Sequence, residues 1–298
     1  MTGLTTRVAA WAATGGYETV DAHQIFVRRS GGDGPLVVLL HGYPSSSYDW
    51  RGVLPALEAT GASVLAFDFL GFGLSDKPTD VVYSLKMQAD IAEQLIAGRP
   101  ALIIAHDLGD SVATELMARD IDGALTFALN GVMITNGSVI IGEANLTAAQ
   151  KLLRGRLGPL VARLISEKVI RKQLAGAFST AHPFTEEEGD DQWSLLSHNG
   201  GDTIIDKLSY FNRERVEFAH RWEGAIRDWS GRLTVGWGVQ DRISGEPVLE
   251  AIISLDPQVH VTRWPDLGHF PQVEDASTVS RLAVTFATST VTGEHSDT

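Results

Sequence analysis

Six short apolar runs punctuate the chain: Leu36–Leu40, Ser63–Phe67, Ala101–Ala105, Leu125–Leu129, Leu233–Trp237 and Val259–Trp264. Near-continuous runs of this kind, rich in leucine and β-branched side chains, mark strands buried on both faces of a parallel sheet. Between the early runs, Trp50–Glu58 and Leu85–Ala97 place apolar residues at helical spacing. Strands and helices in alternation predict βαβ units, hence an α/β fold with a mostly parallel central sheet and helices on both faces. Ahead of Leu36, Glu18–Arg29 alternates and runs into Ser30-Gly31-Gly32-Asp33-Gly34, which predicts an antiparallel hairpin at the sheet edge.

The alternation stops between Asn136 and Ser230. That stretch holds helical signatures and no strand pattern. Gly158-Pro159 breaks one helix. Thr185-Glu186-Glu187-Glu188 reads as a capping box. Ile204, Ile205, Leu208 and Phe211 recur at helical spacing, and a helix is expected over Thr203–Arg215. The pattern predicts a helical cap, 136–230, inserted into a core domain formed by 1–135 and 231–298. There is no internal repeat, and only the tail from Val291 reads as disordered.

Composition narrows the possible partners. With 298 residues, 44% of them hydrophobic, the chain can build a large core. A formal net charge of −13 argues against nucleic acid and against an anionic membrane surface. No run approaches the ~18 apolar residues that a membrane helix needs. Met1–Gly16 makes a poor signal peptide, with one arginine and a broken apolar patch, so the expected location is cytoplasmic. The absence of cysteine removes disulfides, thiolate catalysis and Cys-ligated metals. No metal cluster or cofactor motif is present, and none is expected.

The chemistry gathers at the ends of the apolar runs. Ala101–Ala105 leads straight into Ala105-His106-Asp107-Leu108-Gly109 and then a helical run. This is a strand–turn–helix elbow, with small residues flanking a nucleophile because larger ones would strike the neighbouring strand and helix. Serine commonly stands there; here it is Asp107. A carboxylate attacking an acyl carbon would give an unhelpful anhydride. Attacking a saturated carbon that bears a leaving group, it gives an alkyl ester that water can cleave. An aspartate capping the next helix is the plain alternative. Asp241 follows the run Leu233–Trp237, and His269 follows Val259–Trp264. Nucleophile, acid and histidine thus come in the chain order of a triad, His269 taking a proton from water and Asp241 fixing its tautomer. The loop His41-Gly42-Tyr43-Pro44 follows Leu36–Leu40, so the backbone N–H groups of Tyr43 and Leu108 are assigned to an oxyanion hole.

The stretch His41–Trp50, the segment Asp68–Pro78 and the Asp107 elbow together resemble the epoxide hydrolase and haloalkane dehalogenase branch of the α/β-hydrolases. Within it, His106–Asp110 and Asp206–Trp222 are similar to mesoderm-specific transcript hydrolase-like proteins. The resemblance runs from about Gly16 to Ala287 and implies the α/β-hydrolase fold. Dehalogenases of the branch hold the halide with a Trp after the nucleophile and an Asn in the oxyanion loop; Leu108 and Tyr43 stand there instead. Fluoroacetate dehalogenases place arginines after the nucleophile, where Leu108 and Asp110 stand. Epoxide hydrolases protonate the departing alkoxide with cap tyrosines. Of five tyrosines, only Tyr210 falls in the expected cap. The resemblance therefore implies an enzyme that hydrolyses an epoxide to a vicinal diol, with Tyr210 as acid. The expected substrates are a small apolar organic molecule and water, and the expected assembly is a monomer or homodimer. A haloalkane dehalogenase using other halide donors, such as Trp193 or Trp222, and a ligand-binding protein without catalysis stay open as alternatives.

Overall fold

The computed structural model describes residues 3–145 and 166–289. An eight-stranded sheet runs through the molecule in the order β1-β2-β4-β3-β5-β6-β7-β8. Its strands are β1 (Gly16–Val20), β2 (His23–Ser30), β3 (Leu36–Leu40), β4 (Ser63–Phe67), β5 (Ala101–His106), β6 (Leu129–Thr135), β7 (Leu233–Gly238) and β8 (His260–Trp264). The β1·β2 and β2·β4 pairs are antiparallel; from β4 to β8 every pair is parallel. The edge hairpin turns on Asp21 and Ala22, both at positive φ, as a two-residue loop requires to match the strand twist.

Period-two geometry divides β3 between two cores. Leu36, Val38 and Leu40 pack with α3 (Leu85–Ile96), α4 (Leu108–Ile121) and α10 (Glu246–Leu255). Val37 and Leu39 face the opposite way, toward α1 (Thr6–Ala12), α2 (Leu54–Glu58) and α12 (Ala276–Thr288). This is why these strands show no polar alternation: neither face meets water.

Two expectations are corrected. The run Leu125–Leu129 is not a strand, since β6 begins at Leu129 and continues to Thr135. Asn130 and Gly131 interrupt its apolar pattern, while Phe127 is buried from a loop, so composition favoured the wrong window. The helix expected over Thr203–Arg215 is broken. A 3₁₀ segment (His198–Ile204) gives way to α7 (Ile205–Leu208), and α8 (Phe211–Glu217) starts after Tyr210. At the break the Ser209 hydroxyl donates to the Asp206 carbonyl, a local bond that competes with helix continuation.

Between β6 and β7, the described residues form helices and turns and contribute no strand. Besides α7 and α8 these include α5 (Glu167–Ala177), α6 (Glu186–Leu196) and α9 (Ala219–Asp228). Thr185 caps α6, its hydroxyl accepting from the Glu188 N–H. Helix α9 packs on α4, where Trp222 Nε1 and Arg221 Nε both donate to Glu115 Oε2, at 2.8 and 2.9 Å. At the other end α1 fastens to α6: Arg7 Nε donates to Asp191 Oδ2 at 2.8 Å, and the Tyr48 hydroxyl shares that oxygen. Gly158-Pro159 and the tail from Val291 lie outside the described residues. No described helix is long and apolar enough to cross a membrane.

Candidate active site

Strand β5 delivers Asp107 at the carboxyl edge of the sheet, where it adopts φ 47° and ψ −103° before α4 begins at Leu108. A non-glycine residue held there carries backbone strain, which persists only when its surroundings fix it. Two backbone hydrogen bonds and two glycines do so. Asp107 N–H donates to the Thr135 carbonyl at 3.2 Å, Gly109 N–H donates to the His41 carbonyl at 3.0 Å, and the adjoining glycines leave no room for side chains. A Cβ on Gly109 would stand 2.6 Å from the Leu40 carbonyl oxygen, and one on Gly42 3.0 Å from the Asp107 Cβ.

The Asp107 side chain makes no capping bond to α4, which removes the alternative reading of a helix-capping aspartate. Its Oδ2 accepts the Tyr43 N–H at 2.9 Å. Its Oδ1 lies 3.3 Å from Arg215 Nη2, which also donates to the Asp107 carbonyl at 3.0 Å. Arg215 Nε donates to the Ser111 hydroxyl at 2.8 Å, one turn along α4. Both members of this ion pair are buried. Burial alone would raise the Asp107 carboxyl, but Arg215, His269, His106 and the Tyr43 N–H outweigh it and hold it below the usual carboxylate range. Asp110, one turn on, is pushed well above that range, chiefly by burial, with the Thr135 amide opposing and Asp107 adding to the rise.

His269 stands beyond β8. Its Nδ1 pairs with Asp241 Oδ2 at 2.8 Å, and its ring and that of His106 lie 5.3 Å apart. Burial works against the imidazolium, yet Asp241 and then Asp107 raise the ring above its ordinary value. Asp241 is itself held in place: Asn136 Nδ2 donates to Oδ2 at 3.0 Å, and the Ile243 N–H to Oδ1 at 2.7 Å. Asn136 also ties to the Gly238 carbonyl and N–H, locking the ends of β6 and β7 together. His106 is pushed down to about 4 by burial and so is neutral; its Nε2–H donates to the His269 carbonyl at 2.6 Å. The His269 N–H donates to the Ala177 carbonyl at 3.0 Å, at the end of α5, and Phe178 stacks on Phe270 with rings 5.3 Å apart.

The structure therefore brings Asp107, Tyr43, Asp241 and His269 into one place, with the Leu108 amide heading the helix beside them. Tyr210 does not join them. It lines a separate pocket of about 430 Å³ with Val81, Val82, Tyr83 and Asp206, which none of the four lines. Sequence reading missed Arg215, Ser111 and Asn136. Arg215 carried a signal: it falls four residues after Phe211, extending the apolar stripe of Ile204, Leu208 and Phe211 with a cation. Among the described residues, no cluster of three His, Asp or Glu side chains could hold a metal.

Comparison with known proteins gives the family and the fold. The sequence profile of the alpha/beta hydrolase family matches residues 37–282. LipZ of Mycobacterium tuberculosis is 43% identical over 280 residues, covering 93% of this chain and 96% of that protein. The mesoderm-specific transcript protein of Mus musculus is 34% identical over 287 residues, covering 91% and 85%. Among solved structures, the epoxide hydrolase CorEH superposes with a TM-score of 0.72 at 21% identity, over 92% of this chain and 98% of that one. A mutant haloalkane dehalogenase, DatA of Agrobacterium tumefaciens, gives 0.76 at 19% identity, over 92% and 96%. At such identities the two superpositions speak to the fold alone.

Proposed function

The chain belongs to the alpha/beta hydrolase family, and from that premise we propose that it opens a carbon–heteroatom bond through an ester on Asp107. The observation that carries this reading is the carboxylate at the elbow, ionised and held by the Tyr43 N–H on one oxygen, with a histidine–aspartate pair beside it. Asp107 Oδ1 attacks a saturated carbon, the carbon–heteroatom bond breaks, and the departing group takes the electron pair. His269 then removes a proton from water, and the resulting hydroxide attacks the ester carbonyl. The Tyr43 and Leu108 N–H groups stabilise the oxyanion, each worth about 3–4 kcal/mol. Collapse restores the carboxylate and frees the alcohol. The described helices between β6 and β7 serve as the cap over the site.

An epoxide is the favoured substrate, giving a vicinal diol. Leu108 and Tyr43 supply no indole or amide side chain to hold a halide, whereas the alkoxide from an epoxide stays tethered to the substrate and needs neither. Haloalkane dehalogenation is the second reading, favoured by the haloalkane dehalogenases among the relatives, one 28% identical over 269 residues.

The test separates the half-reactions. His269→Gln, given styrene oxide, is expected to gain the full mass of the epoxide and stall, with peptide mapping placing the adduct on Asp107. Asp107→Ala shows neither adduct nor turnover. An adduct on another residue, or none with a substrate that the wild type turns over, defeats the proposal.

A further inference from the structure

We propose that Arg215 is the electrophilic catalyst of the alkylation step, pairing with Asp107 Oδ1 at rest and with the departing anion once the ester has formed. This rests on the reading of Asp107 as nucleophile and concerns what that reading leaves unassigned, the group that receives the leaving charge.

The argument begins with charge. Arg215 is buried, with 2% of its side chain exposed; its guanidinium lies over the Phe211 ring at 4.7 Å, and among the described residues its hydrogen bonds go to the elbow and α4, to the Asp107 carbonyl, Asp107 Oδ1 and Ser111. A guanidinium does not lose its proton in a protein. When Asp107 becomes an ester its charge disappears, and a buried cation that loses its counter-ion is strongly destabilised. Asp110, the next carboxyl along α4, already accepts the Thr135 N–H on Oδ1 at 3.2 Å, and burial pushes it well above the usual carboxylate range, so it is a poor replacement. Glu115, one turn further, is already occupied by Arg221, Trp222 and Arg119. The charge that leaves Asp107 has to stay beside Arg215, and alkylation supplies it. As the Oδ1–carbon bond forms and the carbon–oxygen bond of the epoxide breaks, the electron pair moves to the epoxide oxygen. That alkoxide stays beside the guanidinium until the ester is hydrolysed, when it takes the proton that His269 removes from the attacking water. For a halide the same charge departs as the ion.

Position agrees with charge. Tyr43 N–H holds Oδ2, leaving Oδ1 to attack, and Oδ1 is the oxygen that Arg215 touches. Ser111 fixes the guanidinium through Nε, so the fork stays in place while its partner changes. Leu108 has no donor side chain and Tyr210 lines another pocket.

The sign of one substitution separates this role from a structural one. If Arg215 only holds Asp107 in place, Arg215→Gln frees a more basic carboxylate and alkylation is unchanged or faster. If it receives the leaving charge, alkylation slows by about 10²–10³. The rate is read by intact mass, with styrene oxide, in full-length His269→Gln with and without Arg215→Gln. Arg215→Lys, which keeps the charge, is expected to recover part of the loss. A second measurement needs no substrate. Asp107→Asn copies the uncharged ester and should bind bromide in chloride-free calorimetry, whereas the wild type and the Asp107→Asn, Arg215→Gln double variant should not. Equal or faster alkylation without Arg215, or no bromide binding by Asp107→Asn, overturns the inference. Absence of any Asp107 adduct in His269→Gln itself would instead overturn the nucleophile assignment on which it rests.

Discussion

Two residues of the site titrate in opposite senses, and the difference predicts how acid dissects the reaction. Asp107 is held below the usual carboxylate range, so it stays ionised in mild acid. His269 is raised by Asp241 and Asp107 against the effect of burial, so it is protonated, and useless as a base, at and below the ordinary imidazole value of about 6.5. Alkylation should therefore outlast hydrolysis as pH falls. At pH ~5 the wild type is expected to accumulate the Asp107 adduct with styrene oxide, and return to pH ~8 should discharge it as diol. Turnover falling at pH 5 with no adduct on Asp107 would contradict this ordering. Much of this was legible in sequence, because a strand followed by a tight turn leaves few residue types and each candidate group follows an apolar run. Arg215 was not, because a cation on an apolar helix face looks like a solvated edge until its carboxylate partner, more than a hundred residues away, is known.

At the scale of elements, the contact of α9 with α4 fixes the helical insertion over the elbow. Trp222 is wholly enclosed there, and its indole N–H satisfies Glu115, itself only 3% exposed. Trp222→Ala removes a large packed ring and one of the donors to a buried carboxylate. The expected loss is about 3–5 kcal/mol in urea unfolding; a loss below about 1 kcal/mol would show that the insertion is not held by this contact. Single elements were read well where burial was two-sided, as in β3, β4 and β5. They were read badly where chain geometry overrode composition. Leu125–Leu129 is apolar yet lies mostly in a loop, and Ser209 ends a helix that the apolar spacing would continue. That second break has a functional cost for prediction, since it places Tyr210 at the head of α8, where it lines the pocket formed with residues 79–83.

For the molecule as a whole, an acidic knot joins the insertion to the core. Asp49, buried beneath α6, accepts from Gln192 Nε2 at 2.7 Å, and Gln192 also donates to Glu188. Burial pushes Asp49 up to about 7, with Ser45, Gln192 and Arg51 opposing and Glu188 adding to the rise. The native protein therefore keeps a proton that the unfolded chain releases near pH 4. Stability from this group is greatest below about pH 4, declines as pH climbs to about 7, and is flat beyond. Asp49→Asn cannot ionise, so its melting temperature relative to wild type should rise between pH 4 and 8. A difference that stays constant across that range would remove Asp49 as the source. The overall architecture was legible because alternation of strand and helix is a long-range pattern. The knot was not, because Asp49 and residues 188–192 lie far apart in the chain, and Glu188 stood out only as part of a helix cap.

The amide hydrogen of His269 lies beneath the Ala177 carbonyl, outside any sheet ladder. Deuterium can reach it only when the end of α5 steps back, so isotope uptake at this one loop residue times the opening of the insertion over the site.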